Sequence, residues 1–390
     1  MANKNTTIPK GWKVTTLGKA LYPISDTFKF NGTERVHFLN TGDILEGKLL
    51  HKNLSSTKTL PGQAKKRFKL NDILYSEIRP ANKRYMLVNF ESSNSVASTK
   101  LMVLRTKENV DVKYIYKFIT FRDTINQFQV IAESRSGTFP QITFDSISNI
   151  EFVLPPLPEQ RAIAAVLSSL DDKIELLREQ NKTLEATAQA IFKEWFVNFN
   201  FPGSTGKMID SELGKIPEGW KVKKFGDIFK IEYGRSDKKF DEDGESPVYG
   251  AGGIVGYSNS NDYQGYQIII GCRGTCGNIT LAYEDSKITH NSLVVSNEWF
   301  NPFSYLFLQT IDIKRAITGS TQPQITIGDL ANIGIYVPED IIIKLFSENI
   351  KSIFEKIKNN SSQIQTISTL RDTLLPKLMK GEIRVEGFNN

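Results

Sequence analysis

Pro9-Lys-Gly-Trp-Lys-Val-Thr-Thr-Leu-Gly18 returns further along the chain as Pro217-Glu-Gly-Trp-Lys-Val-Lys-Lys-Phe-Gly226. Six of the ten positions are identical, at an offset of 208. A second repeat, Phe139-Pro-Gln-Ile-Thr143 and Gln322-Pro-Gln-Ile-Thr326, has an offset of 183. About forty residues of strong helical pattern follow each copy. The repeating unit is therefore a globular head followed by a long helix, used twice. Two similar heads on two rods suit a target that itself has two halves.

The heads share their opening and closing motifs but not their length. Trp12 to Pro140 is 128 residues, whereas Trp220 to Pro323 is 103. A common frame around a variable interior implies a different specificity in each head. Short β segments are predicted at Asp72–Tyr75 and Lys100–Arg105 in the first head. In the second they fall at Gln267–Ile270, Ile279–Tyr283 and Ser292–Val295. One helix is predicted from Val112 to Ile131, capped by Asp111. Another runs from an Asn301 cap and Pro302 in the first turn to near Ile317.

The long helices carry heptad seams. In the first, Ile163, Leu167, Leu170, Ile174, Leu177, Asn181, Leu184, Ala188, Ile191 and Trp195 alternate at steps of four and three. Phe346, Ile350, Ile353, Ile357, Asn360, Ile364, Ile367, Arg371, Leu374 and Leu378 do the same in the second. If Asn181 faces Asn360 in an antiparallel pair, partner numbers sum to 541, so Ile163 meets Leu378 and Trp195 meets Phe346. A buried Asn pair fixes register, because a slipped pairing buries an unmatched amide. Only the Leu170–Arg371 layer fits poorly, and Leu370 is expected to turn in there. Rods of this length, about 60 Å at ~1.5 Å per residue, would hold the heads apart at opposite ends. The alternative is that each helix packs on its own head. The fold class is α+β: two mixed α/β heads separated by two long antiparallel coiled-coil helices, with an internal pseudo-twofold repeat. The boundaries are 1–157 for the first head, 158–200 for its helix, 201–338 for the second head, and 339–390 for the second helix and tail.

Hydrophobic content of 39% and charged content of 24% are ordinary for a soluble protein, and no run of 18 apolar residues exists to span a membrane. The polar Met1–Lys10 segment lacks a signal-peptide core, and the only cysteines, Cys272 and Cys276, fit a reducing cytoplasm. The net charge of +6 is concentrated between Lys58 and Arg84, where eight bases meet two acids. That is the footprint of a phosphate-backbone binder, with a partnerless solvated loop as the alternative.

Motifs for catalysis are near-misses. Gly250-Ala-Gly-Gly-Ile-Val-Gly256 has the wrong spacing for a nucleotide loop and reads as a β-turn. Asn301-Pro-Phe303 lacks the second proline of the motif with which amino-methyltransferases grip a base. Cys272 and Cys276 lack two further ligands, since none of His37, His51 and His290 lies at metal-ligand spacing. No metal site, phosphate loop or hydrolase motif is predicted.

These residues resemble the specificity (S, HsdS) subunit of type I restriction-modification systems. The resemblance rests on the paired Pro-x-Gly-Trp motifs at Trp12 and Trp220 and the Pro-Gln-Ile-Thr motifs at Pro140 and Pro323. It extends to Val153-Leu-Pro-Pro-Leu-Pro-Glu-Gln160, Ile191-Phe-Lys-Glu-Trp-Phe196 and Leu374-Leu-Pro-Lys-Leu-Met-Lys-Gly-Glu-Ile383, and so covers almost the whole chain. Glu339-Asp-Ile-Ile-Ile343 departs from the pattern at the start of the second helix. The resemblance implies two target-recognition domains, each reading half of a bipartite, asymmetric site in double-stranded DNA, with the helices as a ruler for the spacer. It also implies two methyltransferase (M) subunits using S-adenosylmethionine, and restriction/translocase (R) subunits using ATP and Mg. Those cofactors belong to the partners, and this chain is expected to be non-catalytic. Two half-sites on one face of the duplex imply a separation near one turn, ~10 bp.

Bases are read by Arg, Lys, Asn and Gln in the grooves, while backbone contacts set register. In the first head Lys65, Lys66 and Arg67 are candidate phosphate contacts, and Arg79, Lys83, Arg84 and Arg135 candidates for bases or phosphates. Arg235, Lys238 and Lys239 are candidates in the second head, though Asp237, Asp241, Glu242 and Asp243 nearly cancel them. Arg273 and Thr275 are better placed, with Arg273 at an offset of 194 from Arg79. Gln141 and Gln324 either contact DNA or brace the loop within the frame, and the second role is favoured. Phe192, Trp195 and Phe196 are too apolar for one seam and are candidates for a methyltransferase-subunit contact.

Overall fold

The computed structural model describes residues 8–32, 35–135, 137–237, 240–241 and 244–385. In each head the opening repeat pairs with a strand that lies a few residues beyond the closing repeat. In the first head Lys13–Thr16 pairs antiparallel with Glu151–Leu154, in register Lys13↔Leu154 to Thr16↔Glu151. Lys221–Lys224 pairs with Gly334–Val337 in the second, in register Lys221↔Val337 to Lys224↔Gly334. The opening strand is displaced by 208 between the heads and its partner by 183, the same offsets as the two sequence repeats. The next contact repeats too: Leu17 N donates to Ile150 O at 3.0 Å, and Phe225 N to Ile333 O at 2.8 Å. Gly18 and Gly226 follow, where a Cβ would stand 3.2 Å from Ser148 and 2.9 Å from Ala331. A side chain would crowd this approach at both positions, more so at Gly226.

Each head then builds a four-stranded sheet in the same order. In the first the order is Leu21–Pro23, Leu101–Thr106, Ile73–Ser76, Tyr85–Leu87. In the second it is Lys230–Tyr233, Ser292–Ser296, Gln267–Gly271, Ile279–Ala282. A second sheet differs between the heads. The first has Leu54–Ser56, Arg35–Leu39, Ser95–Ser98 and the edge strand Ala64–Lys66. The second has Gly253–Ser258, Ser246–Gly250 and Lys287–Ile288, with no counterpart to that basic edge strand in the sheet.

Two helices depart from expectation. The predicted Val112–Ile131 helix is two, Val112–Ile119 and Arg122–Arg135. Thr120 Oγ1 donates to Tyr116 O at 2.7 Å beside the backbone bond from Thr120 N at 3.1 Å, a back-bonding arrangement that favours a bend at the junction. Asp111 does cap the first piece, accepting from Tyr114 N. In the second head the cap is Phe300 rather than Asn301, whose side chain instead donates to Tyr266 O at 3.0 Å. That helix ends at Thr310, before the β-branched residues around Asp312.

Two compact units result, Met1–Lys173 with Ile367–Asn390, and Ile174–Thr366. They do not separate heads from helices. The long helices Leu157–Phe196 and Asp340–Lys380 each contribute to both units and touch each other within each. Packing on the heads and packing on each other coexist: Ile163, Leu167 and Leu378 enter the core around Trp12, Tyr75 and Phe128, while Phe192, Phe196 and Phe346 enter the core around Trp220, Phe225 and Phe303. None of the twenty seam positions is exposed.

In the Ile174–Thr366 unit, Asn360 Nδ2 donates to Asn181 Oδ1 at 2.8 Å, and the Trp195 and Phe346 rings lie 5.3 Å apart. In the other unit Arg371 stays in its layer and Leu370 remains outside, 46% exposed, contrary to expectation. The reason is Asp171, which accepts from Arg371 at 2.9 Å and pairs with Lys117 of the head. Burial alone would raise the Asp171 carboxyl, but Lys117 and Arg371 hold it below the usual carboxylate value.

The motif opening the first helix also has a physical account. Gln160 is buried, accepts from Asp111 N at 2.8 Å and donates to Pro155 O at 2.8 Å. Glu159 accepts from Trp12 Nε1 at 2.9 Å and takes both Arg384 nitrogens, at 3.0 and 2.7 Å. By the same offset the second helix has Ile342 and Ile343 there, and the buried Trp220 Nε1 has no partner among the described residues.

Replacing Asn181 by Leu strips the buried Asn360 amide of its partner and should cost about 1–3 kcal/mol. The double replacement of Asn181 and Asn360 by Leu should recover most of that loss. Thermal unfolding of the single and double variants measures both.

Candidate nucleic-acid interface

In the first head three segments lie side by side. Glu77 N donates to Lys100 O at 3.0 Å, Ile142 N to Glu77 O at 2.8 Å, and Arg79 N to Pro140 O at 3.1 Å. The closing motif thus braces a loop that leaves the sheet at Ser76 and returns at Tyr85. Arg79 and Lys83 both adopt left-handed backbone, φ 42° and 54°, on either side of the turn Pro80–Asn82. Positive φ at non-glycine residues is sparse and costly, and it clusters at functional loops. Gln129 Oε1 steadies the turn by accepting from Ala81 N at 3.0 Å.

The basic candidates separate into two groups. Lys65, Arg67 and Arg79 are exposed and make no side-chain hydrogen bond or ion pair among the described residues. Arg135 is exposed and donates to Thr143 Oγ1 at 3.1 Å. Lys83 is exposed but pairs with Glu46 at 2.8 Å. Two further candidates have partners inside the head. Lys66 is half-buried, donates to Leu101 O at 2.8 Å and pairs with Glu77 at 3.4 Å. Arg84 is half-buried and donates to Gly42 O at 3.3 Å and Ile44 O at 3.0 Å. Both hold the head together, Lys66 through an ion pair and a carbonyl and Arg84 through two carbonyls. Lys100, which sequence reasoning left as a strand residue, joins this edge and donates to Gln141 Oε1 at 3.3 Å. Gln141 therefore has a bracing contact within the frame.

The second head repeats the arrangement. Cys272 N and Arg273 N donate to Asn291 O at 2.9 and 3.1 Å, and Ile325 N to Cys272 O at 3.0 Å. The paired bridges are Ile78↔Gln141 and Arg273↔Gln324. Equivalence therefore runs at an offset of 195, not 194, so Arg273 occupies the place of Ile78 and sits one residue before that of Arg79. Arg273 and Thr275 are exposed. Cys276 Sγ donates to Pro323 O at 3.1 Å and to Cys272 O at 3.3 Å, so it stitches the loop to the closing motif. Burial pushes both thiols up, away from the reactive thiolate. Lys314, not singled out from sequence, is exposed and lies beside Gly277 of the same loop. Arg235 pairs with Glu232 at 3.1 Å and lies over the Tyr263 ring. Lys238 and Lys239 lie outside the described residues.

A family model for the type I restriction modification DNA specificity domain matches residues 9–186 and again 217–369. The HindI type I restriction enzyme specificity subunit of Haemophilus influenzae is 32% identical, over 95% of this chain and 99% of its own length. The MjaIX specificity subunit of Methanocaldococcus jannaschii is 30% identical, over 72% of this chain and 71% of its own. The type I restriction-modification S subunit from M. genitalium shares the fold, with a TM-score of 0.56 at 18% identity over 97% of this chain and 98% of that one. The chain belongs to the type I restriction modification DNA specificity family. Each of the two matched specificity domains contains one braced loop, and no described helix is long and apolar enough to cross a membrane.

Membership in a type I specificity family raises the question of partner docking, and here the structure corrects the sequence. Phe192 and Phe196 are 2% and 0% exposed. Their rings stack at 4.6 Å, and Phe196 meets Phe346 at 5.0 Å and Trp220 at 6.0 Å. Trp195 is half-buried against Phe346. The excess of apolar residues serves two cores at once, the helix seam and the second head, and leaves neither phenylalanine free for a partner. Phe196→Ala should therefore destabilise the Ile174–Thr366 unit by about 3–5 kcal/mol, read as a lowered unfolding midpoint of this chain in the absence of any partner.

Proposed function

We propose that this chain is the non-catalytic DNA-specificity subunit of a type I restriction-modification enzyme. Each head reads one half of a bipartite, asymmetric site in double-stranded DNA. The observation that carries this reading is the loop built twice on the same three-segment brace, presenting Arg79 in one head and Arg273 in the other. Strand pairing fixes the brace while the loop chemistry differs, which is what two unlike half-sites require.

In this reading the long helices form one antiparallel coiled coil with a pseudo-twofold relation between the repeats, pinned by Asn181 and Asn360, and set the spacer. Two methyltransferase subunits dock on the outward helix faces, since Phe192 and Phe196 are taken up inside. Restriction/translocase subunits join that core. S-adenosylmethionine, ATP and Mg reside on those partners, and the complex works in the cytoplasm. Lys65, Arg67 and Arg79 contact phosphates, and Arg273 and Thr275 approach base edges.

Adenine-methylation mapping of DNA from cells that express the chain with its methyltransferase subunit tests this directly. The expected result is a split motif with one modified adenine on each strand. An assembled complex that adds no methylation, and whose duplex binding is indifferent to salt, would make the chain a two-headed protein scaffold instead.

Counterion release separates the basic residues by role. Arg67→Ala and Arg79→Ala should each weaken duplex binding and lower the slope of log K against log salt by ~1. Lys66→Ala should lower the melting temperature with little change in that slope.

A further inference from the structure

We infer that the hairpin tip of the second head reads thymine, with Ile254 and Val255 meeting a 5-methyl group in the major groove. The inference rests on the DNA-specificity reading above and adds the base chemistry of one half-site.

Phe240, Ile254, Val255 and Tyr257 gather on the hairpin Ser246–Gly250 and Gly253–Ser258, and are 48%, 50%, 49% and 45% exposed. Alternation along a strand would turn one of two successive residues inward. The register shifts between Val248 and Tyr249, so Val255 is an extra residue and both it and Ile254 face solvent. Bulges of this kind re-aim side chains near functional sites.

The tip also nests against the Arg273 loop. A Cβ on Gly252 would stand 3.2 Å from Thr275 Oγ1, and one on Gly271 would overlap both the Ala251 and Thr275 carbonyls. Hairpin tip and loop thus form one surface, with Arg273, Thr275 and Lys314 exposed along it. Asp241 sits at the open end of the hairpin. Asp241 accepts from Ser258 Oγ at 3.0 Å and Asn259 N at 2.7 Å, and Ser246, next to Glu245, pairs with Ser258. An apolar tip at Ile254 and Val255 beside Arg273 and Lys314 suits base edges, where the thymine methyl is the one apolar group on display. In the first head the corresponding strands Arg35–Leu39 and Leu54–Ser56 are joined by the long segment 40–53, which supplies an internal control.

The experiment uses the complex of this chain with its methyltransferase subunits and duplexes carrying the mapped site. Each thymine is replaced singly by deoxyuridine, which removes only the methyl. In one half-site at least one replacement should weaken binding about fourfold. An Ile254→Ser/Val255→Ser double variant should lose that penalty and keep the thymine profile of the other half unchanged. Ile254→Leu, which keeps an apolar surface, should retain the penalty. Neutral replacements throughout, half-sites without thymine on either strand, or a penalty that persists in the double variant would overturn the inference while leaving the specificity reading intact. So would a double variant that sheds the methyltransferase subunits yet discriminates as before, which would make the tip a protein-docking surface. Loss of all site-specific binding by the unmodified complex is distinct, since it removes the specificity reading and this inference together.

Discussion

Antiparallel pairing of Lys13–Thr16 with Glu151–Leu154, and of Lys221–Lys224 with Gly334–Val337, brings the two ends of each head together. Most else depends on it. Ends that meet in a fixed register release the interior from having to keep a length, and the heads differ by about 25 residues between Trp and Pro. The ribbon also delivers each chain into its long helix at a set place, with Trp12 or Trp220 beneath. Long insertions cost little when their ends are already held. A frame of this kind can change what a head reads without disturbing where its helix begins.

Polar groups in the helix contacts serve a different end from stability. Asn181 with Asn360, and Asp171 with Arg371, occupy layers that apolar residues would fill more favourably. Each pair meets only in one alignment, because a shift of one turn would bury an amide or a charge alone. Lys117 ties the first head's own helix into the second of these layers through Asp171. The ionic layer therefore constrains three elements at once, whereas the Asn layer constrains two.

Legibility in the sequence followed the range of the interaction. Heptad seams and repeated motifs are periodic, so the long helices and both frames could be read from spacing alone. The places of Lys66 and Arg84 could not. Whether a base faces solvent or reaches a carbonyl such as Leu101 O or Ile44 O depends on a strand distant in the chain. The same limit misplaced Phe192 and Phe196. A helix face that serves two cores looks, in one dimension, like a face with apolar residues to spare. Arg371 failed the seam pattern for a related reason, since its partner is a carboxylate that no heptad count includes. The one-residue error in equating Arg273 with Arg79 arose because arginine was matched to arginine, whereas the backbone bridges match Arg273 to Ile78.

On the proposed reading the heads would divide the physics of recognition unequally. Lys65 and Arg67 belong to, or adjoin, an edge strand without counterpart in the second head's sheet, and charges of this kind bind phosphate alike in any sequence. Such contacts give affinity and position but no discrimination. Among the described residues the second head's sheet has no such edge, and apolar side chains are exposed beside Arg273 and Thr275. Apolar contact contributes little at long range and depends on a close fit, so it discriminates only once the duplex is already held. A two-headed reader built this way would engage DNA first through the charged head and test sequence more stringently through the other. The order follows from the reach of each force: screened Coulomb attraction extends about 8–10 Å in physiological salt, whereas methyl contact requires touching surfaces.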